Sequence, residues 1–259
     1  MSTTTLEPST TPALANHPVV SREQWLAARK KLLEQEKEHT RARDRLSAER
    51  RKLPWVKIDK NYVFEGPDGP LPLADLFDGR SQLIVYHFMF GPGWKDGCTG
   101  CSFISDHVDA ARQHFEQRDV SFAAVSRAPL AEFAPYKKRM GWQFPWVSSA
   151  KNDFNFVFHV SFTAEQVASG KVNYNFTTIE PWGEEAHGVS VFYKNEAGEI
   201  FHTYSTYARG AETALGTFMF MDLTPLGRNE ESTMNWLRRH DEYETAPASC
   251  CGCGKDGDA

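Results

Sequence analysis

Two cysteines separated by two residues carry the clearest chemistry in this sequence of 259 residues. Cys98-Thr99-Gly100-Cys101 follows an apolar, β-rich run and begins a segment with helical periodicity. In the first turn of a helix, free backbone N–H groups and the helix dipole stabilise a thiolate over a thiol. We therefore predict that Cys98 is the nucleophile of thiol–disulfide exchange and that Cys101 resolves the mixed disulfide.

Other interpretations of the cysteines stay open. Cys98 and Cys101 also fit half of a metal site or an inert structural pair. Cys250, Cys251 and Cys253 follow in a Gly-containing tail, where they can serve as a dithiol relay or bind a metal. We predict no cofactor, because zinc held by both Cys98 and Cys101 would block the nucleophile.

Four neighbouring residues are candidates for tuning the thiolate or binding substrate. Asp96 is either a proton acceptor for Cys98 or a plain loop carboxylate. Trp94 either packs over the thiols or belongs to ordinary loop packing. His187 and Gly188 precede a predicted hairpin that faces the cysteines in the fold inferred below, so His187 is a candidate for tuning the thiolate.

A Tyr- and Arg-containing segment follows within that hairpin. Alternation along a strand predicts that His202 and Tyr204 share a face, and Arg209 is expected to begin a helix. Tyr204 and Arg209 can bind an anionic or peroxidic substrate near the thiols. The alternative is a buried, hydrogen-bonded corner that holds the last helix.

The elements that must position these residues can be predicted from periodicity and turn signals. In chain order they are a strand at 60–65, a buried strand at 82–90, a helix at about 99–118, a buried strand at 120–126, a helix at 130–140, a hairpin of strands at 188–194 and 199–204, and a final helix at 211–223. This is the order of the thioredoxin fold, an α/β architecture in which helices flank a central mixed sheet.

Residues 151–186 form an insert before the C-terminal hairpin. Phe154, Phe156 and Phe158 alternate in the manner of a strand, and a further strand is predicted around 174–176. We interpret this aromatic-rich insert as a cover for the site or for a subunit interface.

The predicted domain organisation has four parts. They are a disordered N-terminal tail at 1–18, an N-terminal helical extension at 19–53, a thioredoxin-like domain at 54–243 that includes the insert, and a flexible Cys-containing tail at 244–259. The extension begins with a capping-box pattern and is interpreted as a solvated helix strapped across the domain by one edge.

Composition and charge exclude several classes of partner. The chain carries 29 Lys and Arg against 34 Asp and Glu, and no apolar run is long enough to span a bilayer, so we predict no membrane partner. From Arg22 to Lys52, 6 acidic residues are interspersed among 11 basic ones, and this mixture argues against a nucleic-acid partner. The first residues lack the pattern of a secretory signal, which predicts a cytoplasmic protein.

Several sequence strings resemble the bacterial thioredoxin-like family of unknown function DUF899 over about residues 20–240. The strings are CTGCS from Cys98, HGVSVF from His187, FHTYSTYARG from Phe201 and MDLTPLGR from Met221. The resemblance implies a thioredoxin-like fold and a dithiol–disulfide oxidoreductase with Cys98 and Cys101 as its redox pair. Ordinary thioredoxins place a proline before the strand that faces the cysteines, whereas this chain has His187-Gly188 there.

Residues and resemblance together predict a dithiol–disulfide oxidoreductase. Its partners would be an unidentified disulfide or thiol substrate and a cellular thiol reductant, and a homodimer is one assembly it can form. A thiol peroxidase is an alternative, although Lys95 stands where a typical peroxidatic Thr-x-x-Cys motif has threonine. A non-catalytic thioredoxin-fold module with metal-binding cysteines is the other alternative.

Overall fold

The computed structural model describes residues 17–243 and contains a mixed sheet of eight strands. The strands of this sheet are β1 (Val56–Lys57), β2 (Val63–Gly66), β3 (Gly69–Pro72), β4 (Gln82–His87), β5 (Val120–Ser126), β6 (Trp146–Ser148), β9 (Gly188–Lys194) and β10 (Ile200–Tyr207), and a separate hairpin consists of β7 (Val172–Tyr174) and β8 (Thr177–Ile179). The helices are α1 (Arg22–Arg50), α2 (Thr99–Ser105), α3 (Val108–Phe115), α4 (Leu130–Met140), α5 (Phe154–Val157), α6 (Ala164–Ala168) and α7 (Gly216–Met221).

The connectivity of the sheet is that of a thioredoxin fold. The strand order is β1-β10-β9-β4-β5-β6-β2-β3, in which β4 pairs in parallel with β5 and antiparallel with β9. α2 and α3 form the crossover between β4 and β5, and β9 and β10 form the antiparallel hairpin. The predicted α/β class and thioredoxin-like architecture are therefore confirmed.

Alternation along the central strands divides the core between the two faces of the sheet. Ile84 and Tyr86 of β4 pack with α2, α3 and α4 on one side, which we call the helical face. Leu83 and Val85 pack on the opposite side, which we call the insert face, because residues of the 151–186 segment cover it. The same period of two operates in β5, and it fixes which side chains lie near the cysteines.

The insert folds differently from its alternating pattern. The strand predicted from the phenylalanines is wrong: Phe154–Val157 is the helix α5, which begins where Asn152 Oδ1 accepts a hydrogen bond from the Phe154 backbone N–H. Phe154 and Phe158 are one helical turn apart, and their rings contact each other at 4.7 Å between centroids, tilted by 47°, in the core against the sheet. Helical spacing buries both rings on one side, so it prevails over the apparent alternation.

Residues 174–176, predicted as a strand, are instead the end of β7 and the turn of the β7–β8 hairpin. Asn175 and Phe176 have φ values of 50° and 62° and form the turn between β7 and β8. Two consecutive residues with positive φ match the twist of a two-residue hairpin turn. Phe176 is consequently exposed at the tip instead of being buried in a strand.

The helix predicted at 99–118 is interrupted at His107. The His107 backbone N–H donates to the Ile104 carbonyl at 3.1 Å, and the His107 ring Nδ1–H donates to the Phe103 carbonyl at 2.7 Å. The side chain thus occupies the acceptor that a continuous α-helix would use. The result is two helices, α2 and α3, in place of one.

A β-bulge corrects the expectation for the Tyr- and Arg-containing segment. The register of β10 against β9 shifts between His202 and Tyr204, so they lie opposite Phe192 and Val191. Those two partners are consecutive and point to opposite faces, hence His202 and Tyr204 do so as well. The final helix also differs: a 3-10 segment at Ala208–Ala214 ends at the buried, non-helical Leu215, and only α7 is α-helical.

The N-terminal helix begins where the sequence predicts. Ser21 and Gln24 form a reciprocal capping box, with the Ser21 Oγ accepting from the Gln24 N–H at 3.3 Å. None of the 29 residues of α1 is buried, so the helix is not strapped along the domain. Only its last two turns, near Arg50, come close to the helical face of the sheet.

Candidate redox site

Cys98 occupies the residue directly before α2. Its backbone N–H donates to the Met89 carbonyl at 3.2 Å, and its own carbonyl accepts from the Ser102 N–H at 2.9 Å and from the Ser102 Oγ at 2.8 Å. Gly97 precedes it because no side chain fits there: an added Cβ would be 2.6 Å from the Phe88 ring and 2.9 Å from the Tyr136 ring. These contacts fix the start of the helix at Cys98.

The environment of Cys98 favours its thiolate. The thiol of Cys101 hydrogen-bonds to the Cys98 sulfur and is the largest influence that lowers the pKa of Cys98 to about 6. Burial opposes this shift, while the backbone N–H groups of Cys101 and Gly100 and the positive charge of Arg239 support it. Cys98 is half-buried, so its sulfur combines a low pKa with partial access from solvent.

Cys101 has the opposite character three residues later. It is 1% exposed, and burial raises the pKa of its thiol above the ordinary value, with the neighbouring Cys98 acting in the same direction. The Met89 backbone N–H donates to its sulfur at 3.5 Å, and the Tyr86 hydroxyl lies beside it. At neutral pH, one sulfur of the pair is therefore ionised and the other retains its proton.

Arg239 is a site residue that the sequence did not reveal. Its Nη2 donates to the Gly97 carbonyl at 2.9 Å, and its Nε donates to the Tyr136 hydroxyl at 3.1 Å. Tyr136 in turn shares a 2.7 Å hydrogen bond with Ser102 in α2. Arg239 thus brings a fixed positive charge to the start of α2 from far along the chain, and no local motif marks it.

Met234 comes from the same C-terminal part of the described chain. A Cβ added at Gly100 would be 3.7 Å from the Met234 Sδ and 3.9 Å from the Cys98 Sγ. Both distances are ordinary van der Waals contacts, so a small side chain would fit at Gly100. Met234 therefore lies close to the Cys98 sulfur without requiring a glycine between them.

Asp96 and Trp94 have partners other than the thiols. The Asp96 carboxylate forms an ion pair with Arg139, which also pairs with Asp241. The carboxylate predicted to accept a proton from Cys98 is therefore engaged in a network of ion pairs. Trp94 lies across Gly91, where an added Cβ would be 2.9 Å from its Nε1. For both residues, the structure matches the interpretation as loop side chains more closely than the catalytic one.

Gly188 is the first residue of β9, His187 directly precedes it, and β9 pairs with β4. Gly188 is opposite His87 in that register, and the ring of Tyr207 occupies the space where a Cβ would project. The His187 Nε2 donates to the Ala208 carbonyl at 3.3 Å, and burial lowers the pKa of the imidazole. A neutral ring engaged with a backbone carbonyl adds no positive charge to stabilise a thiolate.

Tyr204 and Arg209 are not brought together. Tyr204 lies under the Arg50 guanidinium, 4.8 Å from the ring centroid, on the helical face. Arg209 is largely exposed and forms an ion pair with Glu212 at 2.7 Å. The predicted Tyr–Arg substrate cluster is therefore divided, and only Tyr204 lines a cleft.

Some predictions fall outside the described residues: those for positions 1–16 of the predicted tail at 1–18, for the tail at 244–259, and for its Cys250, Cys251 and Cys253. Within residues 17–243, no cluster of three or more His, Cys, Asp or Glu side chains is arranged to hold a metal ion. No helix of that same stretch has the length and apolar character needed to cross a bilayer.

The fold can be compared with solved structures at low sequence identity. Peroxidoxin BcpB from Mycobacterium tuberculosis is 14% identical, with 64% of this chain and 95% of that chain covered and a TM-score of 0.40. A cysteine-to-serine mutant of PrxQ from Xylella fastidiosa is 15% identical, covering 64% and 94%, with a TM-score of 0.43. A putative thiol:disulfide interchange protein DsbE from Chlorobium tepidum is 11% identical, covering 66% and 99%, with a TM-score of 0.40.

The sequence itself gives a firmer assignment. No curated protein matches it. The sequence profile of DUF899, described as a bacterial protein of unknown function, matches residues 14–243, which is most of the chain and includes the cysteine pair, Arg239 and the insert. The chain therefore belongs to the DUF899 family of bacterial proteins of unknown function.

Proposed function

We propose that this protein is a thiol–disulfide oxidoreductase that uses Cys98 as nucleophile and Cys101 as resolving thiol. The observation that carries the proposal is the divergence of the two sulfurs, one half-buried with a pKa of about 6 and the other buried with a raised pKa. In a dithiol with this difference in pKa, one sulfur attacks as a thiolate while the other remains a protonated thiol.

The reaction balances as a two-electron exchange. The Cys98 thiolate attacks one sulfur of a substrate disulfide, a mixed disulfide forms, and the departing thiolate takes up a proton. Cys101 then loses its proton and attacks the Cys98 sulfur, which releases the second substrate thiol and leaves a Cys98–Cys101 disulfide. The substrate is reduced and the protein is oxidised, and a cellular thiol restores the dithiol. The same steps in reverse oxidise a dithiol substrate.

The direct contact between the two thiols supports the second step. When Cys98 enters a mixed disulfide, its negative charge disappears, and that charge is one of the influences that raise the Cys101 pKa. The loss of charge therefore makes Cys101 easier to deprotonate at the moment when it must attack. The Met89 N–H, which donates to the Cys101 sulfur, stabilises the thiolate that results.

Trapping with a small disulfide tests the proposal. We expect the Cys101→Ser variant, treated with glutathione disulfide, to accumulate one glutathione on Cys98, detected by intact mass spectrometry. The wild type should proceed to an intramolecular disulfide and two released thiols. The matched control is Cys98→Ser, which keeps only the buried sulfur of the pair and should gain no adduct. Both variants also carry Cys250→Ser, Cys251→Ser and Cys253→Ser, so that the tail thiols add no glutathione. Equal labelling of both variants would refute the assignment of roles.

Turnover distinguishes this function from thiol peroxidase activity. With a dithiol reductant present, we expect the wild type to reduce a peptide disulfide continuously and to consume hydrogen peroxide no faster than Cys98→Ser does. We propose a reducing cytoplasm as the compartment, since it supplies the thiol reductant that the cycle needs. Rapid Cys98-dependent peroxide consumption without disulfide turnover would replace this proposal with the peroxidase alternative.

A further inference from the structure

An open, mostly apolar cleft lies on the helical face, and Cys98 is not among its lining residues. Its volume is about 700 Å³, and pockets of about 300–1,000 Å³ are typical of small-molecule sites. The floor includes Ile84, Val189 and Val191 from the central strands β4 and β9, and α3 contributes Val108 and Phe115. The three floor residues are only half-buried, although central strands normally have covered faces.

The charge around the cleft has one sign. Arg43 and Arg50, both on α1, line it, and no Asp or Glu is among its lining residues, although the whole chain carries a net charge of −5. Neither arginine forms an ion pair with any residue between positions 17 and 243. Arg50 lies over the Tyr204 ring, which holds the guanidinium at the edge of the cleft.

A buried polar group also belongs to the wall. The Tyr86 side chain lines the cleft and is 1% exposed, and its hydroxyl has the Cys101 thiol beside it but no nitrogen or oxygen partner among the described residues. A thiol is a weak partner for a buried hydroxyl, so this group can still form a hydrogen bond with a polar atom in the cleft. Tyr86 also lies beside Cys101, so the cleft and the redox pair share this residue.

We propose that this cleft binds an amphipathic organic anion, with a single carboxylate on Arg43 and Arg50 and an apolar body of fatty-acid size over the strand floor. Two unpaired guanidinium groups above an apolar floor match this chemistry, because a carboxylate is held by charge-assisted hydrogen bonds and the body by apolar burial. A neutral lipid would leave the arginines unused. This binding function goes beyond the proposed thiol chemistry and does not require it.

The binding test uses dodecanoate, kept below its micelle-forming concentration, with the full-length protein in titration calorimetry. We expect one dodecanoate per chain, and binding at least tenfold weaker for dodecanol, which lacks the charge, and for acetate, which lacks the apolar body. The Arg43→Gln/Arg50→Gln variant should bind dodecanoate about tenfold more weakly. The matched control is Arg45→Gln on the same helix, which pairs with Glu38 outside the cleft and should bind as the wild type does.

A second variant tests the location. Val191→Trp places a large ring on the floor and should abolish dodecanoate binding while circular dichroism and the Cys98 alkylation rate stay unchanged. The proposal is overturned if folded wild type binds no dodecanoate, if dodecanol binds as tightly, or if neither variant weakens binding. It is also overturned if the wild type is a dimer that Val191→Trp dissociates, since a second copy would then fill the cleft. Cys98→Ser should bind dodecanoate normally, so loss of redox activity and loss of binding remain distinguishable.

Discussion

The two faces of the central sheet receive side chains from the same strands and have opposite characters. On the insert face, Phe154 and Phe192 are completely buried, and His87 is hydrogen-bonded to Asn155 at 3.3 Å and to Ser190 at 2.9 Å. On the helical face, Cys98 has a lowered pKa and is half-buried, the Tyr86 hydroxyl has only a thiol beside it, and a cleft is open. The comparison indicates that the insert closely covers one face of the sheet and that the other face, where the cysteine pair lies, is less completely covered.

The largest predicted effect is on the insert face. Phe154→Ala removes a ring that contacts Tyr62, Phe64 and Phe158, so we expect the free energy of unfolding to fall by about 3–5 kcal/mol. Urea denaturation measures the change. Val157→Ala is the matched control, because that side chain lies on the same helix and is 52% exposed, and it should cost no more than about 0.5 kcal/mol. Similar losses in the two variants would show that the insert face is not sealed.

The second prediction concerns pH. Burial lowers the pKa of His87 to about 4, so between about pH 6.5 and 4 the unfolded chain binds a proton at this residue that the folded protein does not. The stabilisation is complete above pH 6.5 and is lost as the pH falls through 4, by up to about 3 kcal/mol. Unfolding free energies of wild type and His87→Gln between pH 7 and 4 measure the difference. His39→Gln, on exposed α1, should retain the wild-type slope, and an unchanged slope in His87→Gln would contradict the prediction.

The third prediction concerns the pKa of Cys98 on the helical face. The alkylation rate of Cys98 with iodoacetamide should rise with pH through an inflection near 6, set by the pKa of its thiol. Arg239→Gln removes a positive charge that lowers this pKa, so the inflection should move to higher pH and the rate at pH 6 should fall about two- to fivefold. Arg238→Gln, an exposed neighbour, is the control. An inflection that stays near 6 in Arg239→Gln would remove Arg239 from the site.

The smallest predicted effect compares two buried tyrosines. The Tyr86 hydroxyl has only the Cys101 thiol, a weak partner, beside it, so Tyr86→Phe should change the free energy of unfolding by no more than about 0.5 kcal/mol. The Tyr207 hydroxyl donates to the Phe158 carbonyl at 3.1 Å on the insert face, so Tyr207→Phe should cost about 1 kcal/mol. Thermal denaturation of both variants measures the contrast. A larger loss for Tyr86→Phe would mean that its hydroxyl is already satisfied.

Local signals predicted the parts of the fold that depend on neighbours in sequence. The strand at Val120–Ser126 and the helix at Leu130–Met140 have the predicted bounds, because an uninterrupted apolar run and a terminal glycine define them. The position of Cys98 immediately before a helix also followed from its place between a strand and a helical pattern. Each of these features is determined within a few residues.

The features that the sequence did not reveal depend on distant contacts. Phe154 is helical because the sheet accepts two rings one turn apart, and the bulge near Tyr204 depends on pairing with β9. Arg239 reaches the Gly97 carbonyl across 142 positions of sequence. The cleft likewise exists because α1 and the strands leave a gap between them. Periodicity carries no information about these contacts, since each is formed by elements that meet only in the folded chain.

The hydrogen bond between Arg239 and Gly97 joins two parts of the chain that are made at different times. A ribosome makes Cys98 long before it makes Arg239, so a nascent chain holds the cysteine pair without the guanidinium that lowers the Cys98 pKa. Domains fold as their segments emerge, so the Cys101 thiol and the first turn of α2 can lower the Cys98 pKa before Arg239 is made. The contribution of Arg239 is added only after the later segment has emerged and docked on Gly97.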